Sequence, residues 1–301
     1  EDTEDIMTYL KGAISLLIFS IFASGCAKHQ VPITKRNQLM LLSKADEVKI
    51  GHKNFAGMIK KLKISHDKEK IDMINRVGQR LINNMGSKRI DFEFILVEND
   101  SVNACALPNG KVIVNTGVFL VAKTDDQLAT ILSHEIAHVV SRHGSARISR
   151  NKILNIVEGA GTLIAGILNP FMIVPFIMVY ESSAKNTLIN SSMRIEENEA
   201  DIIGLHLMKK ANYDLTEALS FWQKLKKNNV NKKKAAGNYC RYSFAHIVPY
   251  DLSCCACIEV KAIVYTMSST NAPLDKSFTG LRSPCSIGPT LITWALRCTA
   301  L

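Results

Sequence analysis

The segment 124–143, TDDQLATILSHEIAHVVSRH, constrains the fold more than any other part of the chain. Its first residues, a threonine or an aspartate, can cap a helix, and apolar residues then recur at helical spacing. Residues four apart on a helix share a face, so His134 and His138 point the same way. We predict one helix here that ends at Gly144. His143 lies off the shared face and is predicted to be a cation at the helix C-terminus rather than a ligand.

Two histidines and one carboxylate hold the metal in many zinc hydrolases, and water takes the fourth position. Zinc lowers the pKa of that water to about 7, and a neighbouring glutamate can then take and redeliver its proton. Glu135 follows His134 directly and falls beside the histidine pair. The pattern therefore predicts one Zn²⁺ per chain, with His134 and His138 as ligands and Glu135 as general base.

A second helical segment, RIEENEADIIGLHLM, supplies the missing carboxylate and disfavours the alternative of an ordinary helix with surface histidines. Glu197 and Asp201 are four apart and share a face, and Ala200 between them would let two helices approach closely. We assign Glu197 to the metal. Asp201 is expected to accept the second ring N–H of a ligand histidine, as a catalytic support. Glu196 and Glu199 are predicted to point into solvent.

The pairing of HEIAH with ENEAD, preceded by VNACALPNGKVIVNTG and followed by RHG, resembles the forty-eighth metallopeptidase family over residues 45–228. The resemblance implies an α+β, mostly helical metalloprotease domain of the gluzincin type, with a small β-sheet beside the active-site helix. It also implies His134, His138 and Glu197 as zinc ligands and Glu135 as the general base, in agreement with the spacing.

The family's NAFALPGG pattern corresponds to the stretch from Asn103 to Gly110. The resemblance implies that a substrate peptide lies here as an added strand, with Asn103, Ala104 and Leu107 in the binding edge. A Ser/Thr-His-Pro segment that follows the last helix in one branch of the family is not found in this sequence. The residue that would stabilise an oxyanion is therefore unassigned.

The N-terminal part is typical of a secreted lipoprotein. From Met7 the chain has one lysine, an apolar run and then Ser-Gly-Cys, which resembles the bacterial lipobox. We predict a signal peptide over 1–26, lipidation of Cys26 and a polar tether over 27–44. Ala27 in place of aspartate favours the outer membrane. An uncleaved anchor helix is the alternative, although the apolar run is short for a bilayer.

Residues 45–230 are predicted to form the zinc metalloprotease domain. Hydrophobic periodicity predicts two amphipathic helices before the histidine motif, strands in DFEFILVEND and KVIVNTG, and a final pair of helices. The apolar segment 153–180 is interrupted by Pro170 and Pro175, and it is predicted to be either a buried helical hairpin or a segment lying against a membrane. Three glycines in or near it lack the spacing of a dinucleotide fingerprint: Gly159, Gly161 and Gly166.

Residues 231–301 differ in composition from the rest and hold six of the eight cysteines. We predict an aberrant or disordered tail there, without a metal site of its own. The net charge of +10 is spread over the chain without an aromatic-rich basic motif, so we expect no nucleic-acid partner. The sequence does not indicate an oligomeric state.

These patterns predict a zinc-dependent endopeptidase on the periplasmic side of the bacterial cell envelope. It would be anchored to the membrane through lipid or an N-terminal helix. The family resemblance implies unfolded or misfolded envelope proteins as its substrates. Two alternatives remain open. One is a degenerate, chaperone-like protein that binds zinc and unfolded chains without cleavage, and the other is a membrane-integrated protease of the same family.

Overall fold

The computed structural model describes residues 28–86 and 90–231, with backbone alone for 226–231. The fold is α+β and mostly helical, as the sequence predicts. The predicted signal peptide, Cys26 and nearly all of the predicted tail lie outside the described residues. The α-helices are α1 (Lys44–Ile59), α2 (Lys68–Asn83), α3 (Asp125–Val140), α4 (His143–Leu168), α5 (Ile173–Val179), α6 (Asn186–Lys210) and α7 (Thr216–Asn231).

The strands form two small sheets in the described part of the chain. In the larger sheet the order is β3, β5, β4, with β5 parallel to β3 and antiparallel to β4. The turn between β4 and β5 depends on Gly110, whose φ of 85° favours glycine. The strands are β1 (Lys28–Gln30), β2 (Asn37–Leu39), β3 (Glu93–Val97), β4 (Ala104–Ala106) and β5 (Lys111–Asn115).

The segment 27–44, predicted as a polar tether, is largely folded. β1 and β2 form an antiparallel hairpin, and Val31 in its loop is fully buried in the main core. Gln38 donates a hydrogen bond to the backbone oxygen of Ser141, at 2.5 Å. The tether prediction is therefore wrong for the hairpin, because its contacts come from residues about a hundred positions later in the chain.

Helix α3 forms the centre of the domain. Its apolar residues Leu128, Ile131, Leu132 and Ile136 are at most 1% exposed. Helices α2, α6 and α7 and strand β4 all pack against it. Because neighbouring elements pack against nearly every side of α3, the two histidines and the glutamate that it carries are held in fixed positions in the core.

Helix α3 ends earlier than the sequence predicts. It stops at Val140, and Arg142 takes a left-handed φ of 59° before α4 begins at His143. The Arg142 guanidinium donates to the buried Glu47 carboxylate and to the backbone oxygen of Leu42, which holds this turn in place. The prediction of a helix through His143 with a stop at Gly144 is therefore wrong.

The apolar segment 153–180 forms a helical hairpin, but the hairpin is not buried. Its first arm is the C-terminal half of α4, and its second arm is α5, which continues through one π-helical turn into α6. Phe171 at the tip is 89% exposed. The prediction of a buried hairpin is wrong on the point of burial. Among the described residues, no helix is both long enough and apolar enough to span a bilayer.

Two glycines of α1 allow a direct test of how this helix packs. A Cβ atom at Gly51 would lie 2.8 Å from the backbone nitrogen of Asn109, whereas nothing lies within 4 Å of a Cβ at Gly57. We expect Gly51→Ala to lower the free energy of unfolding by about 1–3 kcal/mol, because the β4–β5 turn must move. The matched change Gly57→Ala should raise it by about 0.5–1 kcal/mol. Urea unfolding measures both, and equal effects would contradict the packing described here.

Candidate metal centre

Three side chains from two helices converge at one point. Nε2 of His134 lies 3.0 Å from Nε2 of His138, and Oε2 of Glu197 lies 3.2 Å and 3.4 Å from these two nitrogens. In the described part of the chain, this trio is the group of His, Cys, Asp or Glu side chains arranged to hold a metal ion. The structure thus brings together all three residues that the sequence predicts as ligands.

The donor set fits a zinc ion. Ligand atoms about 2.0–2.1 Å from a tetrahedral zinc ion are about 3.3 Å apart, close to the three separations found here. Oε2 of Glu197 is buried and accepts no hydrogen bond of acceptable geometry from the described residues. A buried carboxylate oxygen without such a partner is costly, and a cation between the three atoms would satisfy it.

Asp201 supports the first histidine. Its Oδ1 lies 2.8 Å from Nδ1 of His134, so the carboxylate can fix the proton on Nδ1 and leave Nε2 as an electron-pair donor. Burial alone would lower the pKa of His134, but the nearby carboxylates of Asp201 and Glu197 outweigh it and raise the pKa to about 10. Burial also raises the pKa of Asp201.

A second histidine stands behind His138. Nδ1 of His138 lies 2.9 Å from Nδ1 of His143, and Nε2 of His143 lies 3.1 Å from Oε2 of Glu199. If Nε2 of His138 faces a metal, only one placement of the ring protons satisfies the chain of contacts from His138 through His143 to Glu199. His138 then donates through Nδ1 to His143, and His143 donates through Nε2 to the Glu199 carboxylate. The prediction of His143 as a cation at a helix C-terminus is wrong, since it is fully buried at the start of α4.

Glu199 is held in turn by the β1–β2 hairpin. Arg36 donates from Nε and Nη2 to its carboxylate, at 3.0 Å and 2.5 Å to Oε2, and Thr34 donates to Oε1. Burial would raise the pKa of Glu199, but the hydrogen bonds from His143, Arg36 and Thr34 lower it to about 2. Glu199 is therefore a buried carboxylate, and the prediction that it points into solvent is wrong.

Glu196 is also buried, at 1% exposure, which contradicts the solvent-facing prediction. Arg147 donates through Nε to Glu196, at 2.5 Å, and through Nη2 to Oε1 of Glu197, at 2.8 Å. Arg150 provides a second donor to Glu196, at 3.0 Å. Arg147 thus occupies one oxygen of Glu197 while the other oxygen faces the histidines.

Glu135 lies beside the metal centre and against the sheet. It is 4% exposed, and its Oε2 accepts a hydrogen bond from the Ala106 N–H at 2.9 Å. Burial, with a contribution from the nearby Glu197 charge, raises the pKa of Glu135 to about 7. For the neighbouring His138, burial lowers the pKa to about 3. Near neutral pH the centre thus offers one neutral imidazole and a carboxyl group close to its titration midpoint.

The predicted substrate-binding residues follow the sheet edge that faces Glu135. Ala104 pairs with Val114 of β5, and the backbone oxygen of Asn103 accepts the Asn115 N–H. Leu107, 7% exposed, donates its N–H to the backbone oxygen of Lys111. β4 is an outer strand of the three-stranded sheet, which is the position that the family resemblance implies for this stretch.

Two histidines on one helix and a glutamate on a second, beside a small sheet, define a gluzincin-type metallopeptidase domain. The profile of peptidase family M48 matches residues 68–271, and the chain belongs to this family. The family prediction is thereby confirmed. The matched range continues past Val230, after which we predict the aberrant tail.

This chain aligns with only part of the length of each curated relative. The β-barrel assembly-enhancing protease of Escherichia coli (strain K12) is 28% identical over 155 residues, which is 50% of this chain and 32% of that protein. Its Yersinia pestis counterpart is 30% identical over 155 residues, again 32% of that protein. The mitochondrial metalloendopeptidase OMA1 of Schizosaccharomyces pombe is 30% identical over 160 residues, 50% of this chain and 43% of that protein. The chain thus spans less than half the length of these relatives.

Sequence reasoning missed the residues that support His138. His143, Glu199 and Arg36 belong to three different elements, and no spacing rule connects them. The RHG stretch of the family pattern was the one signal that could have drawn attention to His143.

A substitution at His143 tests its support of the metal centre. We expect His143→Ala to raise the zinc dissociation constant about tenfold to a hundredfold, because His138 loses the acceptor that fixes its ring. His143→Gln should recover part of the affinity, since an amide oxygen can accept the same proton. Competition with a chelating dye measures the constant, and the exposed His52→Ala is the control. Unchanged affinity in a folded His143→Ala variant would contradict the proposed support.

Proposed function

We propose that this chain is a zinc-dependent endopeptidase whose ion is held by His134, His138 and Glu197. The observation that supports it is the approach of the three ligand atoms to within 4.8 Å, around a buried Glu197 oxygen without a proper hydrogen bond. Zinc bound there would acidify a water molecule and polarise the scissile carbonyl. Arg147 keeps the Glu197 carboxylate in position by holding its other oxygen.

Glu135 would act as the general base and acid. A group of this kind works best when its pKa lies near the operating pH, and burial raises the pKa of Glu135 to about 7. The hydrogen bond from Ala106 orients the carboxylate toward the edge strand. Glu135 would take a proton from the attacking water and give it to the departing amine.

The histidines would be kept in their ligand form by the groups behind them. Asp201 accepts the proton on Nδ1 of His134, and His143 accepts the proton on Nδ1 of His138. Both contacts leave Nε2 turned toward Glu197. Both rings are therefore already oriented for a metal that binds between them and Glu197.

The substrate would be an extended peptide that lies beside β4. Backbone hydrogen bonds to an added strand give affinity with little side-chain selection, which suits unfolded or misfolded chains. Asn103, Ala104 and Leu107 lie along or next to this strand, and the Ala106 N–H connects it to Glu135. A peptide on this edge would thus pass close to the proposed base.

The proposed setting is the bacterial cell envelope, on the periplasmic side. Lipidation of Cys26 would anchor the chain, and outer-membrane sorting follows from Ala27 in the bacterial pattern. The names of the bacterial relatives refer to β-barrel assembly, which is consistent with protein quality control as the role of this chain. The relatives called mitochondrial have a different setting, so the envelope assignment depends on the N-terminal sequence.

A catalytic test changes the proposed general base, Glu135, and leaves the three metal ligands unchanged. With zinc added, we expect Glu135→Gln to reduce casein cleavage about a hundredfold or more, because proton transfer at the water is lost. The full-length chain is compared with the control Glu98→Gln, which alters an exposed glutamate paired with Lys63. Bound zinc with equal, negligible turnover in wild type and Glu135→Gln would favour the inactive, chaperone-like alternative.

Zinc removal separates metal binding from catalysis. Zinc at a thousandfold excess over its dissociation constant should stabilise the native state by about 4 kcal/mol, and a chelator should remove this gain. Glu197→Gln should lose most of it, since one ligand charge is gone, whereas Glu98→Gln should keep it. Thermal unfolding with and without zinc gives the comparison. A zinc-dependent gain that persists in Glu197→Gln would place the ion elsewhere.

A further inference from the structure

Within the part of the chain that the structure describes, the largest group of exposed apolar side chains lies on the hairpin between α4 and α6. The run Gly159–Tyr180 contains no charged residue. Soluble surfaces do not usually leave so many large apolar side chains together in water. The most exposed of them are Leu163 (66%), Ile167 (52%), Leu168 (64%), Phe171 (89%), Met172 (51%), Val174 (64%), Met178 (66%) and Val179 (65%).

The two arms of this hairpin are tightly joined on their inner sides. A Cβ atom at Gly161 would lie 2.1 Å from the Phe176 ring, and one at Gly166 would lie 3.2 Å from Ile173. These glycines, which form no nucleotide fingerprint, thus let the arms approach each other. The Tyr180 hydroxyl closes the base by donating to the backbone oxygen of Leu154, at 2.8 Å. The hairpin therefore has a defined shape that directs its other side chains outward.

The apolar surface covers both arms and the tip rather than a single stripe. Ile167 and Leu168 are both exposed on the first arm, as are Met178 and Val179 on the second and Phe171 at the end. Adjacent residues of a helix point about 100° apart, so each arm exposes more than one face. A partner helix or peptide would cover one face and leave the others in water. A lipid phase covers every side at once, and a helix that is apolar all round is typical of such surroundings.

The charged residues nearest to the hairpin lie together at its base. Lys185 lies 2.7 Å from Glu158 and 3.6 Å from Glu181, so the three charges mark the base of both arms. At about 1.5 Å per residue, the arm from Gly159 to Leu168 is about 15 Å long. That is about half of the roughly 30 Å hydrocarbon core of a bilayer.

We propose that the hairpin Gly159–Tyr180 inserts into one leaflet of a phospholipid bilayer and is a membrane contact separate from Cys26. The charged base would stop at the headgroups. Helix α4 leads from this base to Arg147, about 17 Å away, where Arg147 holds Glu197. The metal centre would thus lie close to the membrane surface. The inference concerns membrane docking and does not depend on the proposed catalysis.

The test places a fluorescent reporter at the tip of the full-length chain. Phe171→Trp is mixed with vesicles of phosphatidylethanolamine and a smaller share of phosphatidylglycerol, and the emission of the wild-type tryptophans is subtracted. We expect a shift to shorter wavelength and strong quenching by lipids brominated along their acyl chains. The matched control is Leu188→Trp, at an exposed position beyond the charged base, which should show neither effect.

A further variant and two contrary outcomes complete the experiment. Adding Leu168→Asp and Val174→Asp to Phe171→Trp should abolish the shift, with the helical circular dichroism retained. If vesicles bind the protein but the Phe171→Trp emission does not change, the N-terminal segment alone carries binding and the inference fails. Emission already shifted before vesicles are added would show that protein covers the tip, from a second copy or another part of the chain, and would also overturn it.

Discussion

The close packing of α3 against α6 is the contact on which the metal centre depends. Ala200 is fully buried, and a Cβ atom at Gly204 would lie 3.2 Å from the backbone nitrogen of His134. Small residues at these two positions let the helix backbones approach closely enough for Glu197 to reach both histidines. Because the ligands lie on two closely packed helices, their spacing is set by the packing of those helices.

That packing has an electrostatic cost, which other elements offset. Helix α6 carries three glutamates, Glu196, Glu197 and Glu199, into the interior, and a buried charge without a partner costs about 3–5 kcal/mol. Arginines from α4 and from the β1–β2 hairpin pair with all three. The hairpin near the N-terminus is thus part of the centre, although it lies far from it in sequence. This explains why a stretch of mainly polar residues is ordered.

The sequence predicted what depends on local periodicity. Helical spacing gave α3 and α6 and the shared faces of their ligands, and alternation gave β3 and β5. It failed where a side chain's surroundings come from distant elements. The sequence around Glu199 is typical of a surface helix, and only the fold brings Arg36 beside it. The sequence around His143 is typical of a helix end, and only the turn at Arg142 brings it next to His138. The exposure of the 159–180 hairpin could not be read from its composition, because a buried hairpin and a lipid-facing one have the same apolar pattern.

Charge balance explains why His134 contacts a carboxylate, Asp201, whereas His138 contacts a second histidine, His143. A divalent cation bound by this centre would bring two positive charges, and Glu197 with Asp201 supplies two negative ones. A carboxylate directly behind His138 would add a third negative charge next to the ion and raise the pKa of Glu135 further. His143 instead places an imidazole ring between His138 and Glu199, and Arg36 compensates the Glu199 charge on the far side. The second histidine is thereby oriented without an additional negative charge beside the metal position and Glu135.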